Sequence, residues 1–539
     1  MLPAAKDGSD SLSKAGDERS SEKGGSEEKR FSEDELAIFH ERESGRVILD
    51  PEEARIEFGE DFTSRLKLTS DGKTILWPQP RDDPADPQNW SGRKKAFHLA
   101  IITLATIIPD FDSAIGIATV FQLAKEYGTT TGHINNLTSN WSIFLIGWGG
   151  FFDIMLMRRY GRLTVLFWTQ LLALGFLVGA TFAPTLEVFA AMRCLTGFFG
   201  TCPQITGLFV INDIFPFHLR ARKIGIWTCA AVLGPHLPPF VFSFLVGRAH
   251  YRWAWVIGCI YGLVVLLLIV FFMEETMYDR KLGVGVVERG TRGRLKALVG
   301  GTAVKISKTA PTWREVLVAP FAIAWRPHFF GICVLEAMIF GFSIGVNITN
   351  TIFFQSPPPF GFGFEPFTVA GIYATPVIAV FIGEVFGRYL NDWVMYTSVK
   401  RNNGVFEAEA RLWTCYLAIP LFLCGFLVLG AALEHHLHIA VIVVGWGIAQ
   451  MATLMCTVAV YAYSNDCFPR RQGEVSAVIN MFRVLGGFSV AYYQVPWSEK
   501  NGAMQTLGLE AGIVCGLFVL IVPVLQLKGR KLRQRFSIE

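Results

Sequence analysis

From residue 96 onward the chain is a succession of apolar runs, each about 20 residues long, and no other feature narrows the possible folds as much. A helix rises about 1.5 Å per residue, so such a run spans the ~30 Å hydrocarbon core of a bilayer. A bilayer offers no water to backbone N–H and C=O groups, so a run of this length is expected to cross as a helix. The expected spans are 96–120, 138–157, 163–182, 187–211, 223–246 and 252–273, then 327–350, 367–390, 412–432, 437–461, 474–494 and 505–527. The fold class is therefore an all-α membrane protein of twelve transmembrane helices, with a polar stretch separating six from six.

Orientation follows from Lys and Arg in the short connections. Clusters stand at Arg93-Lys94-Lys95, Arg158-Arg159-Arg162, Arg220-Arg222-Lys223, Arg280 to Arg314, Lys400-Arg401, Arg470-Arg471 and Lys528 to Arg535. These are every other connection plus both ends, so both termini are expected to be cytosolic. The alternate connections, such as APTLE and EHHLH, are poor in basic residues; RAHYR, with Arg248 and Arg252, is the exception.

Residues 1–90 differ in kind, with 22 acidic and 13 basic residues. The opening segment is rich in Ser, Gly, Glu and Lys and has too little apolar surface to offset ordering entropy. It also lacks the apolar core of a cleaved signal. The expected organisation is a disordered cytosolic tail (1–92), a six-helix bundle (93–273), a central cytosolic loop (274–326), a second six-helix bundle (327–527) and a basic tail (528–539). The ten cysteines form no CxxC and fall in or beside apolar runs, which fits buried thiols better than a disulfide frame or metal site.

One pentapeptide nearly repeats: NDIFP at 212–216 and NDCFP at 465–469. The first ends the fourth span and the second the tenth, each before a basic connection. The same offset carries Gly234 in the fifth span onto Gly487 in the eleventh. A six-span unit has been duplicated in parallel, a plan that places a substrate site near the midplane between two halves.

At this point the sequence resembles the major facilitator superfamily, and within it the fungal twelve-span drug:proton antiporters, over about residues 80–530. RRYGRLTVLF (158–167) is similar to the signature between the second and third spans. Gly161 and Arg162 match it, while Arg158 stands where Asp is usual and Ile154 where Gly is usual. AMRCLTGFFG (191–200) resembles the fourth-span signature through Arg193 and Gly197. GIWTCAAVLGPHLPP (225–239) resembles the fifth-span antiporter signature through Gly225, Gly234 and Pro235, with Pro238 replacing a usual Gly. GEVFGRYLND, RNNGVFEAEARLW and INMFRVLGGFSVAYYQVPW resemble segments of the fungal branch.

Charge inside a bilayer costs at least about 2.5–3.5 kcal/mol and usually faces a cavity. The intramembrane candidates are Asp110 and Asp112 in the first span, Asp153 in the second, Arg193 in the fourth, Glu336 in the seventh, Glu384 in the eighth and Arg483 in the eleventh. Asp110, Asp112 and Glu336 are candidates for binding substrate and proton at one carboxylate, which is how antiport couples. The alternative reading is permanent pairing with Arg193 or Arg483. Arg193 is expected to promote proton release, as the resemblance implies. Arg483 would hold a carboxylate or an anionic group of the substrate. Asp153, Arg158, Gly161, Arg162, Asp213, Glu384 and Asp466 are expected in gating or interhelical pairs. Gly225, Gly234 and Pro235 are expected to serve close helix approach and bending. Trp141, Trp148, Phe340, Phe342, Tyr373 and Tyr493 are candidate cavity aromatics.

GxxxxGK[ST] and HExxH are absent, so neither ATP-driven transport nor a membrane enzyme is expected. The expected function is a proton-coupled secondary transporter, without cofactor or metal, exporting small amphipathic or cationic compounds by alternating access. Proton-coupled uptake of a small cation or nutrient is the alternative, and a substrate sensor a third. The expected partners are a small-molecule substrate, protons and the lipid membrane, not nucleic acid. The protein is expected to be a monomer of the plasma membrane, with the vacuolar membrane as the alternative.

Overall fold

The computed structural model describes residues 46–69, 71–279, 284–285, 290–300, 311–358, 361–469 and 471–536. Among the described residues, twelve helices are long and apolar enough to cross a membrane. Spans 1 to 6 are Gly92–Glu126, Thr131–Tyr160, Arg162–Thr181, Leu186–Ile214, Phe217–Val246 and Arg252–Phe272. Spans 7 to 12 are Pro327–Gln355, Pro366–Arg401, Ala408–Glu434, Ile439–Cys467, Gln472–Asn501 and Ala503–Arg535. The expected twelve-helix architecture holds, and most helices outrun their apolar cores by a turn or more. Spans 1, 4 and 7 are the most enclosed and spans 6 and 12 the least, with side chains such as Ile260, Phe271, Val519 and Leu520 exposed. The two six-span halves meet chiefly along spans 2 and 11 and along spans 5 and 8.

Among the backbone interruptions of the first half, two stand out. Span 2 stops at Gly161, whose φ of 89° is left-handed and open to glycine without strain; Arg162 then starts span 3. Span 5 is two helices, Phe217–Leu233 and Leu237–Val246. Pro235 lies at the break, where its missing N–H and its ring cannot continue the ladder. The start of span 1 and the end of span 12 lie at the face where the basic connections gather, called here the basic face.

The segments outside the spans carry structure of their own. The reading of 1–92 as one disordered tail does not hold beyond residue 45; residues 1–45 lie outside the described residues. Strand Arg46–Ile48 pairs antiparallel with Val405–Glu407, which follows span 8. Trp77 donates its indole N–H to Ile48 C=O at 2.7 Å, and its own C=O accepts from Phe217 N–H at the start of span 5, 2.8 Å away. Ile48, Phe58, Ile75 and Trp77 bury together with Phe217 and Phe406. The arm is thus pinned to both halves at once. Its apolar residues carry the packing that the polar composition of 1–90 hides.

The central loop 274–326 contains helices Gly290–Val299 and Trp313–Ala324. Arg280 and residues 301–310 lie outside the described residues. The basic tail 528–539 is helical to Arg535, and Arg533 is buried, donating to both Glu409 oxygens at 2.8 and 2.7 Å. Residues 537–539 lie outside the described residues.

Candidate functional site: a charged cavity between the halves

A cavity lies between the halves, lined from spans 1, 2 and 5 on one side and spans 7 and 11 on the other. Its walls are mostly apolar, with Ala114, Ile117, Ile143, Ile344, Ile348 and Val484 among them. Its polar groups are few: Asp110, Ser113, Ser139, Asn347, Asn480 and Arg483. Apolar walls with a handful of placed polar groups are the usual make-up of a small-molecule site.

Asp110 comes from span 1, one residue after Pro109. Gln204 of span 4 donates to its carboxylate at 2.7 Å. Gly234 of span 5 packs against this point: a Cβ there would stand 3.0 Å from Asp110 Cβ and 3.1 Å from Ile107 C=O. The break in span 5 therefore fits the Asp110 segment because residue 234 has no side chain. Asn347 of span 7 donates to Pro235 C=O at 2.9 Å, so the same break is also held by the second half.

Arg483 answers Asp110 from the opposite wall. It is 2 % exposed, its guanidinium carbon lies 3.7 Å above the Phe340 ring centroid, and it donates to Tyr461 OH at 3.3 Å. Its Nε stands 3.8 Å from Glu336 Oε1, an ion pair longer than a hydrogen bond. Glu336 is fully buried behind Arg483 and does not line the cavity. Carboxylate, guanidinium and second carboxylate therefore form a series running from the first half into the second.

The other candidates sort by position. Asp112 and Arg193 do not line the cavity. Asp112 is buried toward span 6, with Oδ1 3.6 Å from where a Cβ on Gly258 would sit. Arg193 donates to the C=O groups of Asp112 and Ser113 at 2.5 and 2.8 Å and stacks over Trp255. The pair joins spans 1, 4 and 6 inside the first half. Asp153 is fully buried in span 2, and neither carboxylate oxygen has a hydrogen-bond partner among the described residues. Glu384 seats both oxygens against Gly225, at 3.0 Å from a Cβ added there. Beside it lies a second, smaller cavity that also carries Arg222, Arg388 and Asp392, and Arg222 bonds Asp392 across the halves at 2.8 Å. Of the six candidate aromatics, Phe340 alone lines the central cavity.

The basic face is closed by contacts between halves. Arg158 at the end of span 2 forms an ion pair with Glu474 at the start of span 11. Arg replaces the signature's usual Asp at position 158, and it finds an acidic partner in the other half. Ser476 donates to Gln204 C=O at 2.9 Å and Asn480 to Thr201 at 3.2 Å. Asp213 pairs with Arg162, and Asp466 with Arg411 at 3.1 Å, each within its own half. Between them, Asn212 and Asn465 bond reciprocally at 2.9 and 3.0 Å. The opposite face is also bridged, by Tyr492 donating to Asn136 at 2.6 Å and by Arg248 over Phe367. The halves therefore touch on both sides of the cavity.

Reversing the Arg158–Glu474 charges tests this gate. Arg158→Glu alone sets two carboxylates together at a site where Glu474 is buried, so transport and folded yield are expected to fall. The double variant Arg158→Glu/Glu474→Arg is expected to recover most of the loss, as contacting pairs couple by about 0.5–3 kcal/mol. Equal loss in single and double variants would refute a charge-pair role.

Several site residues escaped the sequence reading: Gln204, Asn347, Asn480, Glu474 and Tyr461. Glu510 in span 12 also escaped; it is fully buried and bonded by the Gln494 amide at 3.1 and 2.9 Å. Its place within an apolar run was the available signal for Glu510. The repeated pentapeptide was the signal for the Asn212–Asn465 pair.

Comparison with known proteins was informative. The family model described as Major Facilitator Superfamily matches residues 101–491. An uncharacterized MFS-type transporter of Schizosaccharomyces pombe is 23 % identical, over 87 % of this chain and 89 % of its own. The efflux pump radE of Floropilus chiversii is 23 % identical, over 87 % of each. A solved structure of the proton:xylose symporter XylE, an E. coli protein, superposes with a TM-score of 0.57 at 14 % identity, covering 80 % of this chain and 97 % of that one. This last likeness bears on the fold alone.

Proposed function

The chain belongs to the major facilitator superfamily, a family of transporters rather than enzymes, and on that premise we propose that it is a proton-coupled exporter of small amphipathic or cationic compounds. The observation that carries this reading is the cavity between the halves, where Asp110 faces apolar walls and a buried Arg483–Glu336 pair. Apolar walls suit an amphipathic body, and a carboxylate suits a cationic group. Proton and cation compete for that carboxylate, so binding of one releases the other.

Two halves that touch at both ends of the cavity support alternating access, in which each end opens in turn. A relative named as an efflux pump supports the outward direction. In this reading the basic face is cytosolic, the protein works as a monomer and its membrane is the plasma membrane.

The test is retention of a panel of fluorescent dyes and cationic drugs in cells making the wild type, Asp110→Asn, Glu336→Gln or Asp112→Asn. Wild-type cells are expected to exclude at least one compound, and a protonophore to abolish the exclusion. Asp110→Asn is expected to abolish it at normal surface abundance, and Glu336→Gln to abolish it with some loss of folded protein, because Arg483 stays charged without that partner. Asp112→Asn, outside the cavity, is expected to keep it. Proton-dependent accumulation by the wild type would replace export with uptake.

A further inference from the structure

The cross-half contact at the centre of the basic face carries no charge, although charged residues flank it on both sides. Asn212 and Asn465 occupy the same place in the two copies of the repeated pentapeptide. They are 253 residues apart, buried at 4 % and 0 % exposure, and bonded through two Nδ2–H to Oδ1 hydrogen bonds. Equivalent residues of two repeats can bond reciprocally only near the pseudo-two-fold axis that relates the repeats. The following residue of each copy turns the other way. Asp213 pairs with Arg162 at the start of span 3, and Asp466 with Arg411 at the start of span 9, so each acid has an ion-pair partner within its own half.

We propose that Asn212 and Asn465 are the positioning residues of the basic-face gate, a neutral latch that breaks and re-forms in each transport cycle. This rests on the alternating-access reading above. The chemistry suits a contact that must break repeatedly. A carboxamide exchanges its partner for water at little net cost, and the ion pairs that also cross this face, Arg158–Glu474 and Arg222–Asp392, each have a partner that solvent reaches. The Asp–Arg pairs move intact with their own halves and hold the ends of spans 4 and 10, so the amides meet in register when the gate closes. Asn212 also donates to Leu208 C=O at 2.7 Å, one turn back on its own helix. That bond fixes its rotamer and leaves the second N–H for Asn465.

The latch makes an ordered prediction. Asn465→Asp keeps an acceptor for Asn212 and is the mildest change. Asn212→Asp loses the donor to both Leu208 and Asn465 and is worse. The double Asp variant places two acceptors face to face and is the most open. Ser113→Cys supplies the reporter, because Ser113 lines the central cavity and none of the ten native cysteines does. A membrane-impermeant maleimide is applied to full-length protein in vesicles of both orientations. Loss of both hydrogen bonds is expected to raise labelling from the basic face about tenfold, with a matching fall from the other face, in the order given.

A short bis-maleimide joining cysteines placed at 212 and 465 is expected to remove basic-face labelling, and cleaving the linker to restore it. Labelling of the wild-type reporter from one face only would overturn alternating access, and the latch with it. Labelling from both faces that no variant changes, in protein of normal size-exclusion profile, would overturn the latch alone. So would undiminished basic-face labelling in the cross-linked protein.

Discussion

Arg483→Ala is expected to give a chain that no longer transports and is depleted in folded form. The substitution removes the guanidinium that lies between Glu336 and the cavity and leaves Glu336 fully buried without a counter-charge. Breaking a buried pair on one side costs about 3–5 kcal/mol, of the order of a whole domain's stability margin. It also empties the space above the Phe340 ring and removes the donor to Tyr461.

Two further variants separate folding from transport. Arg483→Gln with Glu336→Gln removes both charges, so folded yield is expected to return while transport does not. Arg483→Lys keeps a charge but loses the planar stacking on Phe340, and is expected to fold and to transport at a reduced rate. Detergent-solubilised size exclusion reports the folded fraction, and vesicle flux reports transport. If the double Gln variant transports normally, the Arg483–Glu336 pair is structural and coupling lies elsewhere.

The architecture could be read in advance because its signals are local or periodic: the length of the apolar runs, the alternation of basic connections and the repeated pentapeptide. The site was readable only in part. Asp110 and Asp112 are two residues apart on a helix, about 200° around its axis, so they face opposite ways. Nothing in the linear sequence says which face turns to the cavity. Arg158 breaks the expected signature, and its partner Glu474 lies in the other half, beyond the reach of any local pattern. Gln204, Asn347 and Asn480 are neutral amides, and an apolar chain holds many such residues for packing alone. The arm over residues 46–92 was lost in averaging: Ile48, Phe58, Ile75 and Trp77 are a small minority beside acidic and polar neighbours. The repeat offset singled out Gly487, but the tighter contact belongs to its neighbour, which no periodicity distinguishes.

That neighbour gives the second large effect: Gly486→Leu is expected to abolish the folded protein. Spans 7 and 11 cross with backbones in contact. A Cβ on Gly486 would lie 2.0 Å from Ala337 C=O, and one on Gly341 would lie 2.6 Å from the Gly486 carbonyl carbon. The obstacle at Ala337 is a helix carbonyl, which cannot turn aside without losing its own hydrogen bond, so the spans themselves must part. The residues beside the crossing include Phe340 and Arg483, so parting the spans also opens the wall of the cavity. Overpacking usually costs about 1–3 kcal/mol where side chains can give way; here none is available, and a larger cost follows. At Gly487 the nearest atoms to an added Cβ are 3.7 to 4.0 Å away, an ordinary contact distance, although the residue lines the cavity. Gly487→Ala is therefore expected to fold normally and to alter transport alone, while Gly486→Ala already loses folded protein on size exclusion. If both alanine variants fold equally well, spans 7 and 11 do not cross as closely as described, and the placement of Arg483 beside Phe340 and Glu336 loses its support.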